Sequence, residues 1–75
     1  MNVKETMEMI AYLKEKREDA AQMRNYYQER LAKVTEEGSD EQKQVYLKGE
    51  ASKSGIEVSR LDYFIRILEQ IEVTR

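Results

Sequence analysis

The segment Glu36-Glu37-Gly38-Ser39-Asp40 decides the fold, because here one helix has to stop and another can start. Gly38 suits the left-handed conformation that commonly follows the last residue of a helix. Ser39 suits the N-cap of a new helix, and Gln42, three residues later, completes a capping box. The segment therefore predicts a tight turn that divides the chain nearly in half.

Both sides of this turn have the composition of helices. The 75 residues include no proline and only three glycines, and residues that favour helix dominate the rest. We predict an all-α fold in a single domain over 1–75: a long antiparallel helical hairpin with one helix over about 3–36, a turn at Gly38 and a second helix over about 40–72.

Each predicted helix carries a stripe of side chains with alternating spacings of three and four residues, the pattern of helices that pack along a seam. The stripe of the first helix contains Val3, Thr6, Ile10, Leu13, Arg17, Ala20, Arg24, Tyr27, Leu31 and Val34. The stripe of the second helix contains Leu47, Ala51, Ser54, Val58, Leu61, Ile65 and Leu68. We expect the two stripes to face each other, with Leu13 near Leu61 and Ile10 near Ile65.

An alternative is a three-helix arrangement with a break near Ser54-Gly55. Two serines and a glycine within residues 51–55 could end one helix and cap another. The stripe keeps its phase across this segment, however, and a true loop would not need to preserve it. The spacing therefore favours one continuous second helix.

Two arginines, Arg17 and Arg24, occupy seam positions where apolar residues are expected. They could form a basic pocket for a phosphate or a carboxylate. The structural interpretation is a polar seam, in which each arginine lies along the seam and pairs with a glutamate of the facing helix, such as Glu50 or Glu57. We favour the polar seam.

Residues 56–73 are apolar on more than one face, and a helix of that kind has to be buried on several sides. One facing helix cannot cover them, so we expect two hairpins to self-associate into a four-helix bundle. The candidate interface lies off the seam and contains Arg60, Tyr63, Phe64, Ile67 and Ile71.

Composition excludes several classes of function. The chain has no histidine and no cysteine, which removes the usual general base, thiol chemistry and the common zinc ligands. We expect no catalytic residues, cofactor, metal or small-molecule substrate. No apolar run is long enough to span a bilayer and the first residues are charged, so we expect a cytoplasmic protein with no membrane contact. The net charge of −2 makes a nucleic-acid partner unfavourable.

The remaining hypothesis is a small non-enzymatic protein–protein interaction module: a regulator, an adaptor or a phage-type inhibitor that binds itself as a homodimer and also binds another protein. The alternative comes from a resemblance. Two heptad-spaced helices around one turn resemble the Rop family, small helical hairpins that dimerise into four-helix bundles and bind RNA pairs. The resemblance extends over the whole chain, rests on the heptad spacing, and implies an RNA-binding dimer.

Overall fold

The computed structural model describes residues 2–38 and 40–74, and the side chains of 2–38 and 40–71. Two helices, α1 (Val3–Glu37) and α2 (Glu41–Thr74), pack against each other along their length. The resulting hairpin measures 55 × 14 × 14 Å. The predicted all-α hairpin is confirmed, and its helix boundaries lie within two residues of those expected.

The first helix begins at a cap that the sequence analysis did not single out. The Oδ1 of Asn2 accepts a hydrogen bond of 2.8 Å from the backbone N–H of Glu5, and its Nδ2 donates to the Glu5 carboxylate at 3.0 Å. The hydroxyl of Thr6 donates to the Asn2 carbonyl at 3.0 Å. Because this bond satisfies the hydroxyl, Thr6 can occupy the seam with only 1% of its surface exposed.

The turn contains the predicted left-handed glycine. Gly38 has φ 69° and ψ 23°, and its N–H donates to the carbonyl of Thr35 at 3.1 Å. The predicted cap at Ser39 lies outside the described residues. Asp40 takes the N-cap role instead: its Oδ1 accepts from the backbone N–H of Lys43 at 3.2 Å. The second helix therefore begins one residue later than the capping-box pattern indicates.

The second helix runs without interruption through Ser54 and Gly55, so the three-helix alternative is wrong. Among the described glycines only Gly38 has a positive φ, and Gly55 has the ordinary backbone of a helix. Gly55 lies beside the stem of Arg24, and a Cβ at Gly55 would lie at an ordinary contact distance of 3.8 Å from the Cδ of Arg24.

The two predicted stripes form the seam. Every stripe residue except Val3 is buried or half-buried, and Val3 at the open end is 48% exposed. The apolar centre of the seam consists of Val34, Leu47, Ala51, Leu61 and Ile65.

The side-chain contacts between the helices join residues whose numbers add up to about 79. Arg17 contacts Asp62, and the stem of Arg24 lies beside Gly55. These sums agree with the positions of the helix ends, because α1 continues to Glu37 and α2 starts at Glu41. The expected pairings of Leu13 with Leu61 and of Ile10 with Ile65 stay predictions.

Candidate functional site: two flanks of the hairpin

The polar seam has a definite partner in the described chain. The Nη1 of Arg17 donates to Oδ1 of Asp62 at 2.6 Å, and Nη2 of Arg66 lies 3.0 Å from the other oxygen of the same carboxylate. About a third of the surface of the Arg17 and Asp62 side chains is exposed. The arginine therefore pairs across the hairpin as expected, but with Asp62 and not with Glu50 or Glu57.

Arg24, the second predicted arginine of the seam, behaves differently. It is half-buried, and its described hydrogen bond is a long one of 3.5 Å to Oδ1 of Asn25. Within the described residues its guanidinium forms no ion pair, so the stem packs beside Gly55 while the charged end faces outward. The structure thus places no carboxylate on Arg24.

The ion pairs that connect the two helices lie on one flank of the hairpin. Arg17 pairs with Asp62, and Nζ of Lys14 lies 3.8 Å from the carboxylate of Glu69. We call this side the ion-pair flank. A shallow depression continues it towards the turn, lined by Leu31, Thr35, Glu41, Gln44, Val45 and Lys48.

The opposite side is identified by helix geometry. A helix turns by about 100° per residue, so residues two apart point to nearly opposite sides and residues seven apart to the same side. Tyr12 is two residues from Lys14. In α2, Phe64 is two residues from Asp62, and Ile71 is two residues from Glu69. These side chains therefore lie on the flank opposite the ion pairs, which we call the aromatic flank.

The aromatic flank carries most of the exposed apolar surface in the described chain. Of thirteen exposed large apolar side chains, eight lie on it, whereas Val3, Met7 and Val45 lie on the side of the ion-pair flank. From α1 it contains Met9, Tyr12, Met23 and Tyr26, and from α2 it contains Tyr46, Phe64, Ile67 and Ile71.

Near the turn the aromatic flank approaches the seam at Tyr27. The rings of Tyr26 and Tyr27 meet edge to face with centroids 5.3 Å apart. Partial burial raises the pKa of the Tyr27 hydroxyl above its ordinary value, and the neighbouring Tyr46 and Glu50 raise it further. Tyr46 and Glu50 belong to α2, so the groups that raise this pKa include side chains of the facing helix.

The five residues of the predicted interface are all exposed, but they do not share one surface. Phe64, Ile67, Ile71 and Arg60 occupy heptad positions of the aromatic flank. Tyr63, which is 62% exposed, lies on the outer face of α2 and meets Phe64 only at its edge, with ring centroids 5.9 Å apart.

The prediction of an interface on α2 alone missed the contribution of α1 to the aromatic flank. Met9, Tyr12, Met23 and Tyr26 are 40–54% exposed and stand beside the α2 residues. Their positions could have been found in the sequence by following the heptads on either side of each seam. In an antiparallel pair equivalent flanks of the two helices lie on the same side, and the ion pairs between the helices agree with this.

Two depressions at opposite ends of the molecule have opposite charge. The one at the open end is lined by Glu5, Glu8, Met9 and Tyr12. The one at the turn is lined by Arg30, Lys33, Val34, Glu37 and Lys43. The second is a local basic cluster on a chain whose net charge is −2.

The described residues contain no group of three or more acidic side chains placed to hold a metal ion. Nor does either helix, over its described length, have the run of apolar residues that crossing a bilayer requires. No family model, curated protein or solved structure matches this chain. Its function is therefore argued from its own surface.

Proposed function

We propose that this chain is a non-enzymatic protein–protein interaction module that works as a homodimeric four-helix bundle. The observation that carries the proposal is the large exposed surface of a single hairpin, concentrated in apolar side chains on one flank. Self-association covers this flank and leaves the outer faces of the helices available to another protein.

The surface area of the chain exceeds that of a typical folded monomer. A compact monomer of 8.9 kDa is expected to expose about 4,800 Å². The hairpin exposes 5827 Å², which is about 1,000 Å² more than this scaling predicts. The excess arises because two helices side by side form a rod rather than a globule.

The excess has the size of one side of a protein interface. A standard interface covers about 800 Å² of each partner. One flank of the hairpin is 55 Å long, and two helices of about 10 Å diameter give it an area near 1,100 Å². Covering one complete flank therefore brings the exposed area close to that of an ordinary folded protein.

The aromatic flank has the composition of an interface. Tyrosine, phenylalanine, methionine and arginine are enriched in the buried centres of protein interfaces. Phe64 is 47% exposed and Tyr26 is 53% exposed in the single hairpin, although both are large enough to contribute strongly to binding once they are covered.

The outer face of α2 is the surface that remains for a second protein. Ile56 and Tyr63 lie on this face and are 60% and 62% exposed. Gly49, Ser52 and Ser59 lie beside them with small side chains, so another helix can approach closely.

The proposal is tested by thermal unfolding at protein concentrations that differ by 100-fold. If folding and dimerisation are coupled, the melting temperature rises with concentration, because association stabilises only the folded chain. A melting temperature that stays constant over this range, with a cooperative transition, contradicts the homodimer.

A Rop-like RNA-binding dimer is the second candidate, and one observation favours it. Arg30, Lys33 and Lys43 line the same depression near the turn, with Glu37 as the acidic member. A gel-shift titration with structured RNA and duplex DNA at several salt concentrations separates the candidates. Binding through phosphates has to weaken steeply as salt rises, and a protein interaction module gives no shift.

A further inference from the structure

The charged side chains of the two flanks differ in how they are satisfied. On the ion-pair flank, Lys14, Arg17 and Arg66 all have carboxylate partners within the chain. On the aromatic flank Glu50 pairs with Lys53, whereas Asp19, Arg30, Glu37, Lys43 and Arg60 form no ion pair among the described residues. The flank that carries the exposed aromatic rings therefore also carries several charges that have no partner within the described chain.

We propose that the second copy docks on the aromatic flank in parallel, with both turns at the same end, so that α1 of each copy lies over α2 of the other. This inference rests on the proposed self-association and specifies its geometry. The two-fold axis then runs along the length of the hairpins and between their aromatic flanks.

The symmetry fixes the register of this arrangement. Rotation about an axis parallel to the helices moves no residue along the hairpin, so each residue keeps its level. Arg17 with Asp62 and Arg24 with Gly55 show that residues adding up to about 79 share a level within one chain. The same rule therefore gives the residues that face each other between the two copies.

Applied to the charged residues of the aromatic flank, the rule pairs opposite charges. These facing pairs, each present twice in the dimer, are Asp19 with Arg60, Arg30 with Glu50, and Glu37 with Lys43. No two like charges face each other at any level of the described flank. Electrostatic complementarity of this kind selects one orientation of two partners over another.

The apolar and aromatic residues are matched by the same rule. At the open end the apolar pairs are Met9 with Ile71 and Tyr12 with Ile67. Lysines face aromatic rings in three pairs, which are Lys16 with Phe64, Tyr26 with Lys53, and Lys33 with Tyr46. An ammonium group over an aromatic face is favourable, and Lys16 already lies 5.4 Å from the ring of Tyr12 within the chain. Met23 with Glu57 is the remaining pair.

The antiparallel arrangement gives a poorer match over the same area. If two antiparallel hairpins overlap over their full length, the middle of α1 in one copy lies against the middle of α1 in the other. Asp19 of one copy then faces Asp19 of the other. This overlap would also place Ile67 near Glu50 and Met9 near Arg30, so that apolar side chains would cover charges that have no partner. The parallel arrangement avoids each of these contacts.

The proposal is tested by reversing one pair of charges. Asp19→Arg and Arg60→Asp each create two repulsive contacts in the parallel dimer, and each is expected to raise the dimer dissociation constant about tenfold. The variant with both substitutions restores opposite charges and is expected to return to within about threefold of the original constant. Because Asp19 and Arg60 form no ion pair within the chain, such a rescue has to act between copies.

Pulsed electron–electron double resonance measures the distance between two spin labels and provides the second readout. The chain has no cysteine, so single cysteines at Ala11, Glu18 and Ala32 can be labelled specifically. These exposed positions share one heptad position away from the aromatic flank. In the parallel dimer the three label-to-label distances are equal within a few ångströms.

In an antiparallel dimer the labels at Ala11 and Ala32 would be displaced along the axis by about 27 and 36 Å, against about 6 Å at Glu18. Unequal label-to-label distances of this pattern overturn the parallel arrangement. So does a double charge variant whose dimer dissociation constant is no lower than those of the single variants. In both cases the dimer itself stays established. A monomer at all concentrations overturns both this inference and the proposed function.

Discussion

The guanidinium of Arg17 lies 2.6 Å from the carboxylate of Asp62, and this contact joins the two helices where a pair between Arg17 and a glutamate of α2 was expected. It identifies which flank of α1 stands beside which flank of α2. The assignment of the aromatic flank depends on it.

Loss of this contact is expected to cost little stability. Asp62→Ala removes the partner of both Arg17 and Arg66, but about a third of the pair is exposed to solvent. We expect the free energy of unfolding to fall by up to about 1 kcal/mol. Urea denaturation at fixed protein concentration measures this change in the free energy of unfolding, with Glu69→Ala as the control. The Lys14–Glu69 pair is longer and more exposed, so an equal loss in the control would contradict the role of Asp62.

Replacement of Gly55 by alanine is expected to stabilise the hairpin. Gly55 lies in the middle of α2 with negative φ, and the new Cβ would meet only the Cδ of Arg24, at an ordinary 3.8 Å. The gain in helix propensity is about 0.5–1 kcal/mol. Gly38→Ala is the matched control and should lose about 1 kcal/mol or more, because Gly38 has φ 69°. A clear loss at Gly55 would contradict the continuous helix.

The tyrosine beside the turn predicts a change of stability in alkaline solution. The pKa of Tyr27 is raised by partial burial, Tyr46 and Glu50, so folding favours the neutral hydroxyl. This contribution is fully present below the unfolded pKa of about 10 and is lost as the pH rises through the higher folded pKa. Between pH 9 and pH 11.5 the Tyr27→Phe variant should therefore lose less stability than the wild type. These two pH values lie about one unit or more on either side of the unfolded pKa of about 10. Tyr63→Phe, on the exposed outer face, is the control, and an equal protection there would contradict the assignment.

Substitutions of two adjacent aromatic residues distinguish between an interface on the aromatic flank and one on the outer face of α2. Phe64 lies on the flank, where the proposed dimer would place Lys16 of the second copy against it, and Tyr63 points away from the flank. Phe64→Arg should raise the dimer dissociation constant at least tenfold, whereas Tyr63→Arg should leave it within about threefold. Fluorescence anisotropy of a labelled chain diluted into an unlabelled excess gives both constants. The reverse order of effects would place the interface on the outer face.

The sequence predicted the parts of the fold that depend on neighbouring residues. Gly38 ended a helix for a local reason, and the spacing of the stripes showed which side chains would be buried. The partner of Arg17 was not predicted correctly, because the carboxylate that lies across from an arginine depends on where the turn is centred and on how far the long side chain reaches.

The candidate interface was only partly predicted. Phe64 and Ile71 were visible as apolar residues off the seam of α2. Met9 and Tyr12 occupy the equivalent positions beside the seam of α1, but the prediction was limited to α2 and did not include them. Tyr63 was grouped with Phe64 by proximity in sequence, although the two point to different sides.

Sedimentation equilibrium on three chains tests the central claim, self-association through the aromatic flank. Met9 and Met7 are both exposed, lie two residues apart and point to opposite flanks, so Met9→Glu and Met7→Glu are the same change on the two sides. Self-association through the aromatic flank predicts twice the chain mass of 8.9 kDa for the wild type and for Met7→Glu, and a shift towards the single-chain mass for Met9→Glu. A folded wild type at 8.9 kDa at every concentration, or equal dissociation of the two variants, would contradict it.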